Sequence, residues 1–320
     1  YGPIFLFIFM IEIDNIFWFR HDLRVLDNIP LHMCSKTNKS AAIYIYDPRI
    51  IENENFSSLH LDFINDSLSE LSDTFKKYNA HLNIYYGESI KVLKKIINSY
   101  NIQNIFSHHE VRDLNTYRIN WEIESLCKSY CVKWHQFQRN GVVKGLKNRD
   151  GWSYLWSRQM KESLVPIPNL SNFEKLENSE GIKNFNELGI AQIPYEKKFA
   201  GGEQVGKLQL EKFLNESGQT YAKDISSPLK APASCSRLSS YITYGNLSIK
   251  YIIKKTQQKQ MELREKKTRD GWLGSLSAFS SRLRWHCHFI QKLEMQPSLE
   301  NTNMVQSFDK IRTNPNKDFL

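Results

Sequence analysis

The spacing of apolar residues along this chain changes in a regular order, and that order predicts the fold. Asn15 to Phe19 is a short apolar run with strand character. Ala41 to Tyr46 is a stronger one, closed by Asp47-Pro48. From Leu59 to Tyr78 apolar residues fall at 61, 64, 68, 71 and 75, the spacing of one helix face. Leu82 to Tyr86 predicts a strand, Gly87-Glu88-Ser89 a turn, and residues 90–99 a helix. Ile102 to Ser107 predicts another strand, Asn115 to Tyr130 an amphipathic helix, and Cys131 to His135 the last strand. Strands alternating with helices at this spacing predict βαβ units and a parallel sheet over residues 10–135.

The texture changes from residue 136. Pro166 to Pro194 is polar and turn-rich, so residues 136–200 read as an interdomain linker. Past it, Gly202 to Glu216, Leu238 to Ile253 and Leu276 to Leu293 carry helical spacing. In the first of these, Val205, Leu208 or Leu210, Phe213 and Leu214 are the candidate core positions. No strong strand pattern occurs beyond residue 200, so residues 201–320 predict an all-helical second domain. The expected class is α/β, a Rossmann-like parallel sheet followed by a linker and a helical domain. The chain has no GxGxxG or Walker A loop, and its first strand runs into Arg20-His21-Asp22-Leu23-Arg24, which lacks glycine. A parallel sheet without a phosphate-cradling turn makes a poor dinucleotide domain of the usual kind.

Charge changes the picture in the second half. Residues 1–135 hold 14 Lys and Arg against 16 Asp and Glu, a balance of −2, and residues 136–320 hold 29 against 18, a balance of +11. The basic half is the candidate polyanion-binding half, with a solvated basic surface as the alternative. Arg139, Lys144, Lys147 and Arg149 cluster near Trp152 and Trp156. Lys254, Lys255, Lys259, Arg264, Lys266, Lys267 and Arg269 form a second cluster, read equally as a track for a DNA backbone or as a solvated interhelical loop. Five scattered Cys with no CxxC pair indicate a reduced compartment, and the expected location is cytoplasmic. The apolar opening YGPIFLFIFM lacks a basic n-region and is too short to span a bilayer, so no membrane partner is expected. Residues 1–9 are read as an upstream reading-frame artefact, with Met10 as the natural start. His286 and His288 stand two apart on a helix and do not face one another, which argues against a metal pair.

Three segments carry a specific resemblance: WFRHDLRVLDN at Trp18 to Asn28, CSRLSSYITYGNLS at Cys235 to Ser248, and FSSRLRWHCHFIQKLE at Phe279 to Glu294. With them the chain resembles the photolyase/cryptochrome family over nearly all of residues 15–320. FQRNGVVKGLKNRDGW at Phe137 to Trp152 and GGE at Gly201 to Glu203 look like a bacterial subgroup of deoxyribodipyrimidine photolyase-like proteins. The resemblance implies an α/β antenna domain and a helical domain that holds FAD. It also implies a reaction in which light drives one electron from reduced flavin to a pyrimidine dimer flipped out of damaged DNA. An antenna chromophore of folate or deazaflavin type is also implied, and the expected state is a monomer. His108-His109 at a strand end is read as core or surface packing, with a helix cap or a nearby chromophore site as the alternatives.

Carried over residue by residue, Cys235, Ser236, Arg237, Leu238 and Ser239 match the segment around the FAD diphosphate, where hydroxyls and one guanidinium suit a dianion. Cys235 stands where the family usually has Thr. Tyr221 matches a flavin-contacting tyrosine. Phe279 takes the place of a usual Trp beside the flavin, with Ser281 two residues on. Arg282 falls where dimer-repairing members carry a Glu that bonds the flipped base, a charge reversal. Trp285 matches the tryptophan that packs on the dimer, and His286 replaces a usual Arg. The resemblance expects Arg282, Trp285 and His286 to contact DNA, and Arg237 and Trp285 to share one cup. Family members continue with a stretch like WxxGxTGxPxxDAxMR, whereas only 26 residues follow Glu294 and none is Trp. The helical domain is therefore expected to be incomplete, and this chain is expected to bind FAD weakly or not at all. Repair by the full-length parent is the leading expectation, with a blue-light photoreceptor or a non-catalytic remnant as alternatives.

Overall fold

The computed structural model describes residues 13–37, 39–194, 199–267 and 269–309. Residues 1–9, Met10 and the last residues of the chain lie outside them. Five strands, β1 (Asn15–Phe19), β2 (Ser40–Tyr46), β3 (Leu82–Tyr86), β4 (Asn104–His108) and β5 (Lys133–Phe137), form one all-parallel sheet in the order β3-β2-β1-β4-β5. Helices α1 (Ile29–Cys34), α2 (Pro48–Ile51), α3 (Ser58–Lys76), α4 (Ser89–Ser99) and α5 (Leu114–Ser129) connect them.

Strand parity sorts the two faces, because successive side chains point to opposite sides. Phe17, Phe19, Ala42, Tyr44 and Ile84 face α3 and the later helices, while Ile16, Trp18, Ala41, Ile43 and Ile105 face α4 and α5. Local signals set the helix starts. The Asn28 side chain accepts from Leu31 N at 3.2 Å to cap α1, and Asp113 accepts from Thr116 N at 2.7 Å to cap α5.

Beyond the sheet come α6 (Trp152–Lys161), α7 (Glu203–Asn215), α8 (Tyr221–Asp224), α9 (Ala231–Ser234), α10 (Ser239–Thr243), α11 (Ile249–Glu265) and α12 (Trp272–Met295). No strand follows residue 200 among the described residues. The long helix predicted over Leu238–Ile253 is two helices. Gly245, at φ +70°, breaks the first, and Ser248 caps the second by accepting from Tyr251 N at 3.0 Å. Leu210, Phe213 and Leu214 are buried, and Leu208 points outward.

The stretch 136–200, expected as a linker, contains α6 and then runs along the sheet edge. Phe173 and Glu180 bridge to Ser40 and Ile84, and Leu170, Phe173 and Leu176 are buried. Covering β3 in this way answers the backbone groups that an edge strand leaves open. The core is continuous from the sheet into the helical half, where Phe17 and Phe19 belong to the same cluster as Leu238, Tyr241 and Leu276.

Candidate functional site

In a parallel sheet the crevice beyond the carboxyl ends of the strands, where the strand order reverses, is the natural ligand position. Here the reversal lies at β1, which pairs with both β2 and β4. Two adjoining cavities open at that end of the sheet. The larger, about 370 Å³, has Arg112, Arg139, Thr243 and His286 in its walls, with Val142 and Ile290 as apolar surface. The smaller, about 230 Å³, is lined by Asn53, His60, Ser239, Ser240 and, shared with the first, Arg112 and Thr243.

The charged groups around the larger cavity are organised by Glu110, which is fully buried just past the end of β4. Arg139 Nη1 donates to Glu110 Oε1 and Oε2 at 3.1 and 3.2 Å, and His21 Nδ1 lies 3.1 Å from Oε2. Burial alone would raise the Glu110 pKa, but Arg139, His21 and Arg20 hold it well below the usual carboxylate range. Arg139 Nη2 then donates to Ile242 O at 3.2 Å and Thr243 O at 2.7 Å, so one guanidinium joins sheet to helix. Its Nε remains buried without a partner, as do Arg112 Nη1 and His286 Nδ1. Burial, reinforced by Arg139, pushes His286 down to about 4, so its ring is neutral at pH 7. These three unanswered buried nitrogens belong to residues that line one cavity; the two guanidinium nitrogens are donors, and His286 Nδ1 donates or accepts according to its tautomer.

The site residues expected from sequence fall into three groups. Tyr221 and Phe279 are buried against Phe213, with ring centroids 5.5 Å apart for Phe213–Tyr221, 4.6 Å for Phe213–Phe279 and 5.8 Å for Tyr221–Phe279. Burial pushes the Tyr221 hydroxyl up to about 12, with Cys235 adding to the shift and Arg282 opposing it, so these groups are neighbours. Segment 235–239 forms the second group. Burial raises the Cys235 thiol, Leu238 is in the core, Ser236 O accepts from Gln209 Nε2 at 2.9 Å, and Ser239 opens α10. Arg237 is exposed at φ +57°, and its Nε donates to Pro232 O at 3.3 Å.

The third group is the outer face of α12. Trp285 is 50% exposed, with the Arg282 guanidinium 5.1 Å from its ring centroid. It lines an open groove of about 560 Å³ with Arg149, Trp152, Phe289 and Lys292, and Arg237 is not among the walls of that groove. Ser281 is half-buried one position before Arg282. His286 turns away from Trp285 into the larger cavity, because one residue along a helix rotates the side chain by about 100°. The expectation that His286 shares a DNA face with Trp285 therefore differs from its placement. Sequence reading does not single out Glu110 or Arg112, and it places Arg139 only in a basic cluster. The signal they carry is position, directly after the predicted ends of β4 and β5. Among the described residues no group of His, Cys, Asp and Glu is placed to hold a metal ion, and no helix is long and apolar enough to cross a membrane.

Residues 15–151 match the DNA photolyase family. The deoxyribodipyrimidine photo-lyase of Buchnera aphidicola subsp. Acyrthosiphon pisum (strain APS) is 30% identical over 155 residues, covering 48% of this chain and 31% of that protein. The chloroplastic/mitochondrial cryptochrome DASH of Arabidopsis thaliana is 21% identical over 284 residues, covering 78% of this chain and 48% of that protein. The match thus spans less than half the length of either relative. The archaeal photolyase of Sulfolobus tokodaii shares the fold, with a TM-score of 0.73 at 21% identity over 96% of this chain and 65% of that one. The matched segment, the relatives and the architecture agree on the photolyase/cryptochrome family as the one this chain resembles, with the family match itself covering residues 15–151.

Proposed function

We propose that this chain forms the sheet-side and phosphate-side walls of a flavin site in a protein that repairs pyrimidine dimers in DNA under light. The observation that carries the reading is the set of three unpaired buried nitrogens, from Arg112, Arg139 and His286, on the cavity at the carboxyl end of the sheet. The structural relative from Sulfolobus tokodaii holds two FAD molecules, and one curated relative is named a deoxyribodipyrimidine photo-lyase.

The donor chemistry fits the group. The exposed Arg237 and the hydroxyls of Ser236 and Ser239 suit a diphosphate, and Ser239 lines the smaller cavity. Arg112 and Arg139 supply N–H groups for the acceptor edge of a heteroaromatic ring, neutral His286 adds a nitrogen that donates or accepts with its tautomer, and Val142 and Ile290 are the apolar wall. Phe279 is 3% exposed with its ring against Phe213 and Tyr221, so in this arrangement it offers no open face for stacking. Reduced flavin, when bound, supplies the electron that splits the dimer. Trp285 and Arg282 face solvent on α12, where an aromatic plane and a cation suit an extruded base and its phosphate. A second chromophore, folate or deazaflavin in type, belongs to the same reading without a residue assignment.

Titrating the chain with FAD and following flavin fluorescence tests the site. Saturable quenching that Arg139→Ala weakens at least ten-fold supports it. Absence of quenching, or superimposable curves for the two proteins, removes it. A blue-light receptor is the second reading, favoured by the cation Arg282 in a position where dimer-repairing members carry a carboxylate. Light-dependent loss of dimers from irradiated DNA by the whole protein separates the two.

A further inference from the structure

We propose that the loop Arg20–Asn28 is a clasp that fixes the conformation of residues 235–248, with Asp27 and Asn246 as its positioning residues. That this segment faces a flavin rests on the reading above; the clasp itself rests on contacts within the chain. Asn246 is fully buried, and its Nδ2 donates to Leu23 O and Ser67 Oγ, each at 3.0 Å. Both amide hydrogens are thereby used.

The neighbouring backbone groups are answered from the same loop. Leu23 N donates to Tyr244 O at 3.0 Å and Arg24 Nη1 to Gly245 O at 2.9 Å. A Cβ at Gly245 would lie 2.2 Å from His21 O, so loop and turn touch backbone to backbone. Asp27 closes the other end. Its Oδ2 accepts from Ser248 Oγ at 2.6 Å, and its Oδ1 pairs with Lys250 Nζ at 3.0 Å and accepts from Val165 N at 3.1 Å. Ser248 Oγ in turn caps α11. Glu203, 4% exposed, grips the loop from behind, accepting from Val25 N at 2.7 Å.

The segment needs such a clasp. Its helix α10 has five residues, too few to hold itself by helix propagation, and Arg237 and Ser239 within it are exposed. The order of this segment therefore comes from the turn that ends it, and the order of that turn comes from residues 21–27. The opening signature of the chain thus acts by positioning a segment about 220 residues away in sequence.

Hydrogen–deuterium exchange on the ligand-free 320-residue chain, compared with Asp27→Asn and Asn246→Ala, reads the clasp directly. Amides at 238–249 are expected to exchange at least about ten-fold faster in each variant, with those of β1, β2 and β4 changed less than about two-fold. Equal acceleration in the sheet, or none at 238–249, overturns the proposal. Should Asp27→Asn fail to fold, Asn246→Ala, which removes two hydrogen bonds and no charge, carries the comparison. FAD titration of the same proteins gives the second readout. A loosened variant with unchanged FAD affinity overturns the positioning role. A wild-type chain that does not bind FAD removes the flavin reading and leaves the exchange pattern to decide the clasp.

Discussion

Glu110 takes both of its carboxylate oxygens to one nitrogen of Arg139, at 3.1 and 3.2 Å, which frees the other terminal nitrogen of Arg139 for the carbonyls of Ile242 and Thr243. Glu110 lies just past the end of β4, Arg139 just past the end of β5, and Ile242 and Thr243 end α10, so three segments distant in sequence meet at one guanidinium. Arg139 also lines the larger cavity, and its Nε is buried without a partner. Sheet–helix registration and the wall of the larger cavity are therefore one piece of structure.

Removing the carboxylate should show this. Glu110→Ala leaves Arg139 without its buried counter-charge, and breaking a buried pair from one side costs about 3–5 kcal/mol. Urea denaturation is expected to show a loss of that size, with Glu110→Gln intermediate because an amide keeps an acceptor but loses the charge. A loss below about 1 kcal/mol for the Ala variant would place Glu110 in the surface-pair class.

Stability should also fall on the acid side through the histidines. Burial pushes His109 and His286 down to about 4 in the folded chain, against about 6.5 for an unfolded imidazole. Between those values the unfolded chain binds more protons than the folded one. Stability therefore drops as pH falls through the window, by up to about 1.4 kcal/mol per pH unit for each ring. The buried carboxylates Asp22 and Glu110, whose pKa values are lowered, add their own loss only below the ordinary carboxylate range. Urea midpoints at pH 7 and pH 5 should differ markedly in the wild type and less in His286→Phe. An equal difference in both proteins would show that His286 is not buried as a neutral ring.

The sheet was legible because each strand and helix carries its own period, and strand parity alone sorts Phe17 from Trp18. The helix α6 also has a pattern, Trp152, Trp156 and Met160 at four-residue spacing, but it lies in a stretch whose prolines and polar residues read as linker. The break at Gly245 was not legible, since apolar spacing runs through it and the left-handed turn answers to His21 and Leu23 far away in sequence. The same holds for the cavity. Arg112 and Arg139 stand where strand ends place them, but only the fold shows which of their nitrogens lack partners. Resemblance supplies residue names for the flavin segment and for Trp285, and Arg237 is not among the walls of the groove that Trp285 lines.

Gly245 tests the closeness of loop and turn. An alanine there must hold φ near +70° and also displace the backbone at His21 and Asp22, which a new Cβ would meet at 2.2 and 2.5 Å. Gly145 has a similar φ of +74° with nothing within 4 Å of where a methyl group would sit, so Gly145→Ala carries the dihedral strain alone. Expected losses are about 1 kcal/mol for Gly145→Ala and about 2–4 kcal/mol for Gly245→Ala. Their difference, from urea midpoints, measures the backbone contact. Equal losses would mean that the turn can move away from the signature loop.

Trp285 separates binding from folding. Half of its surface is exposed and its ring meets Arg282 and Phe289 on the outer face of α12, so truncation should leave the urea midpoint within about 0.5 kcal/mol. If a base stacks there, Trp285→Ala should weaken binding of dimer-containing single-stranded DNA by about 1–3 kcal/mol, roughly five- to 150-fold, while Trp285→Phe keeps most of the affinity. Arg282→Glu acts through charge. It should lower the dependence of log Kd on log salt by the equivalent of about one phosphate contact, because a cation that releases counterions is lost. Fluorescence anisotropy with labelled oligonucleotides at several salt concentrations reads both effects. A Trp285→Ala chain that binds as the wild type does, with an unchanged salt slope in Arg282→Glu, would remove this face from DNA contact and leave the groove beside Trp152 without a nucleic-acid role.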